Sequence, residues 1–451
     1  MSTRTRPAAR RRGQPKRVTP TERMLSISPG DALRRIPRTA WMCALIACLN
    51  AACWSVVSPP FQVTDESSHY AYVQHLVETG SLPTSGTENF PLAEEVALSD
   101  LHATEVAERP SIGTISTEAS QRKLERDLAQ PNSRTGSPDA GVATSQPPLY
   151  YALEALPYSL ASGGTVLDRL ALMRLFSTLM GGLTALFAYL FLREALPAVP
   201  WAWTVGGLGV ALAPLLGVMS GSVNPDSLLF AVSSALFYCL ARGFRRGLTQ
   251  RLAIALGVVL AAGYLTKLTF LCLLPGAILG LLVLGVREAR AGRDGDSRVS
   301  PGSGRRTAYR HVGLALAVGA SPALLYTIVN LLLGRASIVA LSSFATSRGG
   351  GSSIFKELSY IWQLYLPRLP GMRSYFHGFL TARVYWFDNL VGNYGWVDTR
   401  FPRWVYNAAL IPAGAIAVLF TRALFISRTA LRSRLIEVFV YAAMSLGVLV
   451  V

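Results

Sequence analysis

Residues 170–192 read LALMRLFSTLMGGLTALFAYLFL, an apolar run that contains a single charged residue, Arg174. A helix rises about 1.5 Å per residue, so a run of this length reaches across the roughly 30 Å hydrocarbon core of a bilayer. The stretch therefore predicts a membrane-spanning helix.

Similar apolar runs recur along the whole chain. Of its 451 residues, 51% are hydrophobic and only 15% are charged, a balance typical of multi-span membrane proteins. The sequence therefore predicts an all-α integral membrane protein, a helical bundle of about nine spans. The other eight predicted spans are residues 39–58, 201–220, 227–241, 252–265, 268–286, 312–333, 405–420 and 436–451.

The arginine-rich loops indicate the orientation of the bundle, because short loops on the cytoplasmic side carry an excess of Lys and Arg. If residues 148–160 (PLYYALEALPYSL) do not span, nearly all the Arg clusters lie on the same side as the basic N-terminus. We therefore interpret this stretch as a short juxtamembrane or re-entrant helix whose length is limited by Pro157. The N-terminus of this multi-pass membrane protein is then cytoplasmic.

This topology divides the chain into four parts. Two large outer segments are predicted to carry short juxtamembrane helices, and the middle of the first, residues 84–146, is predicted to be partly disordered. The parts are a disordered basic cytoplasmic tail (1–38), a transmembrane core (39–333) that includes the first outer segment (59–168), a second outer segment or lid (334–404), and C-terminal spans (405–451).

Two classes of function are disfavoured by composition. The formal net charge is +17, but the basic residues fall in short runs between apolar segments, so we expect no nucleic-acid partner. All five cysteines lie in apolar runs, which argues against disulfides and against a structural zinc site.

The unusual polar residues collect on the outer side of this topology, which was chosen from the Arg and Lys residues of the other loops. Their co-location is therefore independent of that choice, and it points to one outer site. The candidate site residues are Asp65, Glu66, His69, Arg174, Asn224, Asp226, Lys267, Trp396 and Asp398.

Each candidate also has a structural interpretation. Asp65 suits the first turn of a helix, and with His69 four residues on it forms either a pair of metal ligands or a simple polar pair. Asn224 is a good helix cap. Lys267, the only lysine in an apolar run, either reaches the headgroups or has a partner or ligand. The aromatic tract around Trp396 is either an interfacial belt or a lid that stacks on a sugar.

Six motifs, in this order, resemble the DUF2142 family of bacterial membrane proteins. They are PPFQVTDESSHYAYVQHLVETGSLP, QPPLYY, RLFSTLMGGLTALFAYLFLR, SGSVNPDSL, LTKLTFLCLLP and GNYGWVDTRFP. The resemblance covers most of the chain from about residue 41 to residue 402, and the insert 84–146 falls outside it. That family in turn is similar to the GT-C superfamily of polyprenyl-phosphate-sugar glycosyltransferases. In those enzymes an acidic residue of the first outer loop serves catalysis and a later outer loop helps to cover the site.

The resemblance implies a GT-C-like bundle that transfers a sugar from a polyprenyl-phosphate donor to an external cell-envelope glycan or lipid-linked acceptor. Asp65 matches the acidic position and would act as general base in an inverting displacement, with Glu66 beside it. Lys267, Arg174 and either Arg383 or Arg400 would stabilise the departing phosphate.

The remaining candidates would bind the sugar or a cation. Glu66, Asp226 and Asp398 would either orient sugar hydroxyls or hold a divalent cation, Mg²⁺ or Mn²⁺, and Asp65 with Glu66 is the expected metal-binding pair. A multi-span transporter or a lipid or glycan flippase is the main alternative, and a non-catalytic envelope scaffold is another.

Overall fold

The computed structural model describes residues 36–83, 90, 92–103, 117–129, 141–294, 303–334, 354–375, 383–395 and 399–449. These residues form an all-α membrane-type bundle, as the sequence predicts, with one two-stranded ribbon. Most of the predicted basic tail lies outside the described residues.

Among the described residues, six helices are long and apolar enough to cross a membrane, or up to seven if one bent pair of helices is a single span. The six comprise α1 (Arg38–Val57), α6 (Val166–Ala195), α9 (Asp226–Arg246), the segment Leu268–Arg290 that holds most of α11 (Leu274–Asp294), the segment Arg306–Leu332 of α12 (Ser303–Leu332), and α15 (Arg403–Ile426).

The predicted span 201–220 is broken into α7 (Pro200–Ala211) and α8 (Pro214–Ser220), which are bent by 56°. Pro214 opens the second helix, and proline lacks the N–H that would continue the first. The two remaining predicted spans are shorter helices, α10 (Gln250–Thr266) and α17 (Leu435–Leu449).

The outer segments carry short helices, as expected. The first contains α2 (Glu66–Thr79), α3 (Leu92–Asp100), α4 (Glu118–Leu128) and α5 (Leu149–Leu160). Helices α3 and α4 lie inside the insert 84–146, where α4 begins with a capping box at Thr117 and an ion pair joins Lys123 to Asp100. The rest of the insert lies outside the described residues.

The second outer segment contains α13 (Ile354–Tyr365), a π-helical turn (Arg383–Asp388), α14 (Asn389–Gly392) and the paired strands β1 (Asn393–Tyr394) and β2 (Thr399–Arg400). The short helix α16 (Arg428–Arg432) joins the last two apolar helices.

Close helix packing holds the bundle together around one large apolar core and two smaller clusters among the described residues. A Cβ atom on Gly182 of α6 would collide with the Cys48 sulfur of α1, and one on Gly221 would collide with the Ala51 carbonyl of α1. Small residues at these points let the backbones approach closely, as is usual between membrane helices. The core continues into the outer segment through the fully buried Tyr70.

Arginine–carboxylate clusters mark one end of the bundle. The buried Glu194, at the end of α6, lies 3.0 Å from Arg245 and 2.6 Å from Arg246, at the end of α9. Glu437 of α17 lies 2.6 Å from Arg434 and 3.2 Å from Arg287. Asp226 begins α9 and therefore lies at the opposite end, together with the end of α10 at Lys267.

Candidate functional site

A buried ion pair between Glu66 and Arg174 anchors the first outer segment to α6. Glu66 is fully buried, and its two carboxylate oxygens accept from Arg174 Nε at 2.7 Å and Nη2 at 2.6 Å. The same oxygens accept the backbone N–H groups of Phe61 and Val223, both at 3.1 Å. All four acceptor positions of this carboxylate are therefore occupied.

Arg174 is equally saturated. Beyond its two bonds to Glu66, its Nη1 donates to the carbonyls of Ser55 (3.0 Å) and Ser58 (2.7 Å), and its Nη2 donates to the carbonyl of Pro59 (2.9 Å). A guanidinium has five N–H donors, so none is left for a ligand. This geometry favours a structural role for Glu66 and Arg174 over the catalytic, metal-binding and substrate-binding roles expected from the sequence.

The turn between α1 and α2 carries strained backbone. Phe61 and Asp65 both have φ of 59°, in the left-handed region, and Asp65 immediately precedes α2. Such a conformation is a genuine outlier for a bulky residue, and it costs of order 1–3 kcal/mol at sites that are held by their surroundings. Strain of this kind clusters at functional sites, which directs attention to Asp65.

The carboxylate of Asp65 has no hydrogen bond or ion pair within the described part of the chain, and it does not cap the helix that it precedes. The side chain is half-buried. Burial raises the pKa of Asp65, the negative charge of Asp226 raises it further, and the positive charge of Lys267 opposes both effects. A half-buried, unpaired carboxylate of raised pKa is the kind of group that accepts a proton in catalysis.

Asp226 and Lys267 form an ion pair next to Asp65, with 2.7 Å between Lys267 Nζ and Asp226 Oδ1. Both side chains are partly exposed, at 25% and 20%, so the pair faces a space that a ligand can reach. Of the two alternatives that the sequence leaves open for Lys267, headgroup contact or a partner, the structure shows a carboxylate partner.

Asn224 joins these elements. Its side-chain oxygen accepts the Asp226 N–H at 2.9 Å, and its amide nitrogen lies 3.5 Å from the Thr64 carbonyl that precedes Asp65. Asn224 is buried, so it positions the two aspartates rather than presenting itself to a ligand.

His69 lies on the buried side of the site. Its Nδ1 is 2.9 Å from the Tyr151 hydroxyl, and Tyr151 stacks on Tyr72 with 3.6 Å between ring centroids. Burial lowers the pKa of His69 to about 3, and the charge of Lys267 acts in the same direction. The imidazole is therefore neutral at physiological pH. The formal charges of the two aspartates and of Lys267 sum to one negative charge.

Tyr151 was missed as a site residue by sequence reasoning. Its hydroxyl contacts His69, and its pKa is raised well above the usual value, first by burial and then by the neighbouring Tyr72, with smaller effects from Asp226, Tyr326 and Asp65. The sequence signal for Tyr151 is the motif QPPLYY, which ends at this residue and which is one of the motifs that resemble the family.

The second outer segment reaches the same site. The Thr64 hydroxyl donates to the carbonyl of Gly395 at 2.9 Å, and the rings of Trp54 and Tyr394 are 4.6 Å apart between centroids. The predicted site residues Trp396 and Asp398 follow Gly395 directly but lie outside the described residues.

A divalent cation would have few ligands here. The described residues contain no group of three or more His, Cys, Asp and Glu side chains arranged to hold a metal. Asp65 and Asp226 retain free carboxylate oxygens of the hard type that Mg²⁺ and Mn²⁺ prefer, whereas Glu66 does not. The expected cation stays a prediction.

A comparison with known protein families identifies the family of the chain. The family described as predicted membrane protein (DUF2142) matches residues 48–451, most of the chain. The chain belongs to the DUF2142 family. The match runs through the insert 84–146 and past Pro402 to the C-terminal helices, further than the DUF2142 motifs alone. No curated protein and no solved structure matches this DUF2142 chain.

Proposed function

We propose that this DUF2142 protein is a membrane glycosyltransferase. It moves a sugar from a polyprenyl-phosphate donor to a hydroxyl of a cell-envelope glycan or lipid-linked acceptor. The observation that carries the proposal is Asp65. Its backbone lies in the left-handed region, and its half-buried carboxylate is unpaired among the described residues and lies beside a carboxylate–lysine pair. The similarity of the family to the GT-C superfamily supports the same reading.

In the proposed reaction, Asp65 accepts the proton of the acceptor hydroxyl as that oxygen attacks the anomeric carbon. The bond between that carbon and the donor phosphate oxygen breaks, the phosphate leaves with the bonding electron pair, and a single displacement inverts the anomeric centre. The net negative charge at Asp65 and Asp226 favours the positive charge that develops on the sugar ring. Lys267 positions Asp226, whose second oxygen is available to a sugar hydroxyl.

The proposed location follows from the two ends of the bundle. The end with Glu194 and Glu437 is rich in arginine, as cytoplasmic ends are, whereas the Asp65 site lies at the other end. We therefore infer a multi-pass protein of the bacterial plasma membrane with a cytoplasmic N-terminus and an outward site. No step of the proposed reaction runs through a cation.

The test is sugar transfer by the purified full chain in nanodiscs with radiolabelled polyprenyl-phosphate-linked hexoses and pentoses. We expect Asp65→Asn to lower transfer by about 10²–10⁴-fold, the range for loss of a general base. Asp168→Asn is the matched control, because Asp168 only caps α6 through Thr165 at 2.7 Å. Full activity of Asp65→Asn would remove Asp65 from this role.

A transporter or flippase is the second candidate, and the broken helix favours it. Transporters often bind substrate where a spanning helix is interrupted, and the α7–α8 pair is bent by 56°. Movement of a fluorescent polyprenyl-phosphate analogue between leaflets of proteoliposomes, with no transfer to any acceptor, would favour this candidate over the glycosyltransferase.

A further inference from the structure

The second outer segment contains a cleft that Asp65 does not line. It has a volume of about 210 Å³ and lies between the π-helical turn, α14, the β1–β2 ribbon and the start of α15. Its lining residues are Val384, Asp388, Asn389, Asn393, Arg400, Phe401, Arg403 and Tyr406. The cleft is smaller than the roughly 300–1,000 Å³ of drug-sized ligand sites, so it fits a headgroup rather than a whole lipid-linked sugar.

The cleft is lined by two guanidinium groups that have no side-chain partner among the described residues. Arg400 and Arg403 are exposed, and neither has an ion pair or side-chain hydrogen bond to another described residue. The one acid of the lining, Asp388, already lies 3.5 Å from Arg383. The described lining therefore has an excess of positive charge, and arginine is the side chain best suited to bind phosphate in two-pronged geometry.

The lining also holds an unsatisfied acceptor. The buried side-chain oxygen of Asn393 has no hydrogen-bond partner within the described part of the chain, while its nitrogen donates to Asn389 at 2.7 Å. A buried polar atom of this kind is costly unless a ligand or water satisfies it. A hydroxyl next to the phosphate would do so.

The position of the cleft points to a lipid ligand. It opens at the first turn of α15, a spanning helix with an apolar surface, where Trp404 is 69% exposed. Trp386, within the π-helical turn, is also exposed. Exposed tryptophans at the end of a spanning helix mark the headgroup level of a bilayer.

The other cations of the site are already occupied. Every N–H of Arg174 is donated within the protein, and Lys267 is paired with Asp226. The space around Asp65 carries net negative charge, which repels a phosphate. The anionic group of a donor therefore needs a different place, near enough for its sugar to reach Asp65.

We propose that this cleft binds the phosphate of a membrane lipid through Arg400 and Arg403, and that, under the function proposed above, this lipid is the polyprenyl-phosphate donor. Asn393 of the lining is two residues from Gly395, a distance of at most about 7 Å, and Gly395 is hydrogen-bonded to Thr64 beside Asp65. The donor would then lie with its phosphate in the cleft and its sugar toward Asp65.

The test is native mass spectrometry of the full chain with undecaprenyl monophosphate, uncharged undecaprenol, phosphatidylglycerol and inorganic phosphate, each added in turn and in competition. We expect Arg400→Gln/Arg403→Gln to weaken undecaprenyl monophosphate binding roughly 100-fold, about tenfold for each charged contact. Undecaprenol binding should not change. Arg368→Gln, an exposed arginine of the same segment outside the cleft, is the matched control and should bind as the wild type does.

Each other outcome overturns a defined part of the proposal. Unchanged phosphate-lipid binding in the double variant, with an unchanged melting temperature, removes the cleft as the phosphate site. Equal competition by phosphatidylglycerol keeps a lipid-phosphate site but overturns the donor assignment, and equal binding of inorganic phosphate overturns the lipid. Asp65→Asn should bind undecaprenyl monophosphate normally. If arginine-dependent binding persists while no transfer is found, the proposed function fails and the cleft assignment stands.

Discussion

Replacing the carboxylate by an amide should change the stability of the protein very differently at the two neighbouring acids, Asp65 and Glu66. Glu66→Gln leaves the guanidinium of Arg174, whose side chain is 4% exposed, without its counter-charge. Removing one partner of a buried ion pair costs about 3–5 kcal/mol, because an uncompensated charge stays buried. The amide also puts an N–H group where the protein presents only donors.

Asp65→Asn should cost almost no stability. Asn adopts the left-handed backbone as readily as Asp, and the carboxylate has no partner to lose among the described residues. We expect a change in unfolding free energy within about 0.5 kcal/mol, as for surface positions. The two variants thus separate the residue that holds the site from the residue that is proposed to do its chemistry.

The assay is thermal unfolding of the detergent-solubilised chain, followed by tryptophan fluorescence. Glu66→Gln should lower the midpoint by on the order of 5 °C, and Asp65→Asn should stay within about 1 °C of the wild type. The double variant Glu66→Gln/Arg174→Gln should recover part of the loss, because it removes the unpaired charge as well. Equal midpoints for Glu66→Gln and the wild type, or an equal loss in both single variants, would refute the reasoning.

Three further predictions concern pH. Transfer should fall on acidification as Asp65 protonates, with a midpoint above the usual Asp value of about 4, and a pH–rate profile checks this. Lys267→Met should move that midpoint to higher pH and Asp226→Asn to lower pH, because the two charges act on Asp65 in opposite directions; shifts of the same sign would contradict the assignment. Burial raises the pKa of Glu154 to about 8, so the folded state holds a proton that the unfolded chain releases, and stability should fall as pH rises from about 4.5 to 8. Glu154→Gln should abolish this pH dependence of the melting temperature, measured between pH 5 and 9. An unchanged dependence of the melting temperature on pH would contradict this explanation.

Much of the bundle could be predicted because a spanning helix has a strong signature of its own. In the bilayer, every backbone polar group of a run such as residues 170–192 must be hydrogen-bonded within the helix. The composition and length of the run are therefore enough to identify it as a spanning helix. The break between α7 and α8 was not predicted, although Pro214 stands at that point. The mean hydropathy of the whole run hides the break, and α8 is held in its bent position by packing against α1, α6, α9 and α14.

The site could be predicted only as a gathering of residues on one side. Loop charge placed Asp65, Asp226 and Lys267 at the same end, and the structure brings them together. Sequence could not distinguish Asp65 from Glu66, because both are acids at the start of one helix. The distinction depends on a left-handed turn that directs Glu66 toward Arg174, 108 positions away along the chain.

That distinction explains why the strain at Asp65 can persist. Two left-handed residues in one turn cost of order 1–3 kcal/mol each, so the turn needs contacts that offset this cost. Glu66 supplies the compensation, because its oxygens hold the Phe61 N–H on one side and the Val223 N–H on the other, while Arg174 closes the end of α1. One buried carboxylate thereby fixes the turn that carries Asp65 and the loop that leads to Asp226. An unpaired acid can be kept in a strained position here because its saturated neighbour leaves the backbone no other arrangement.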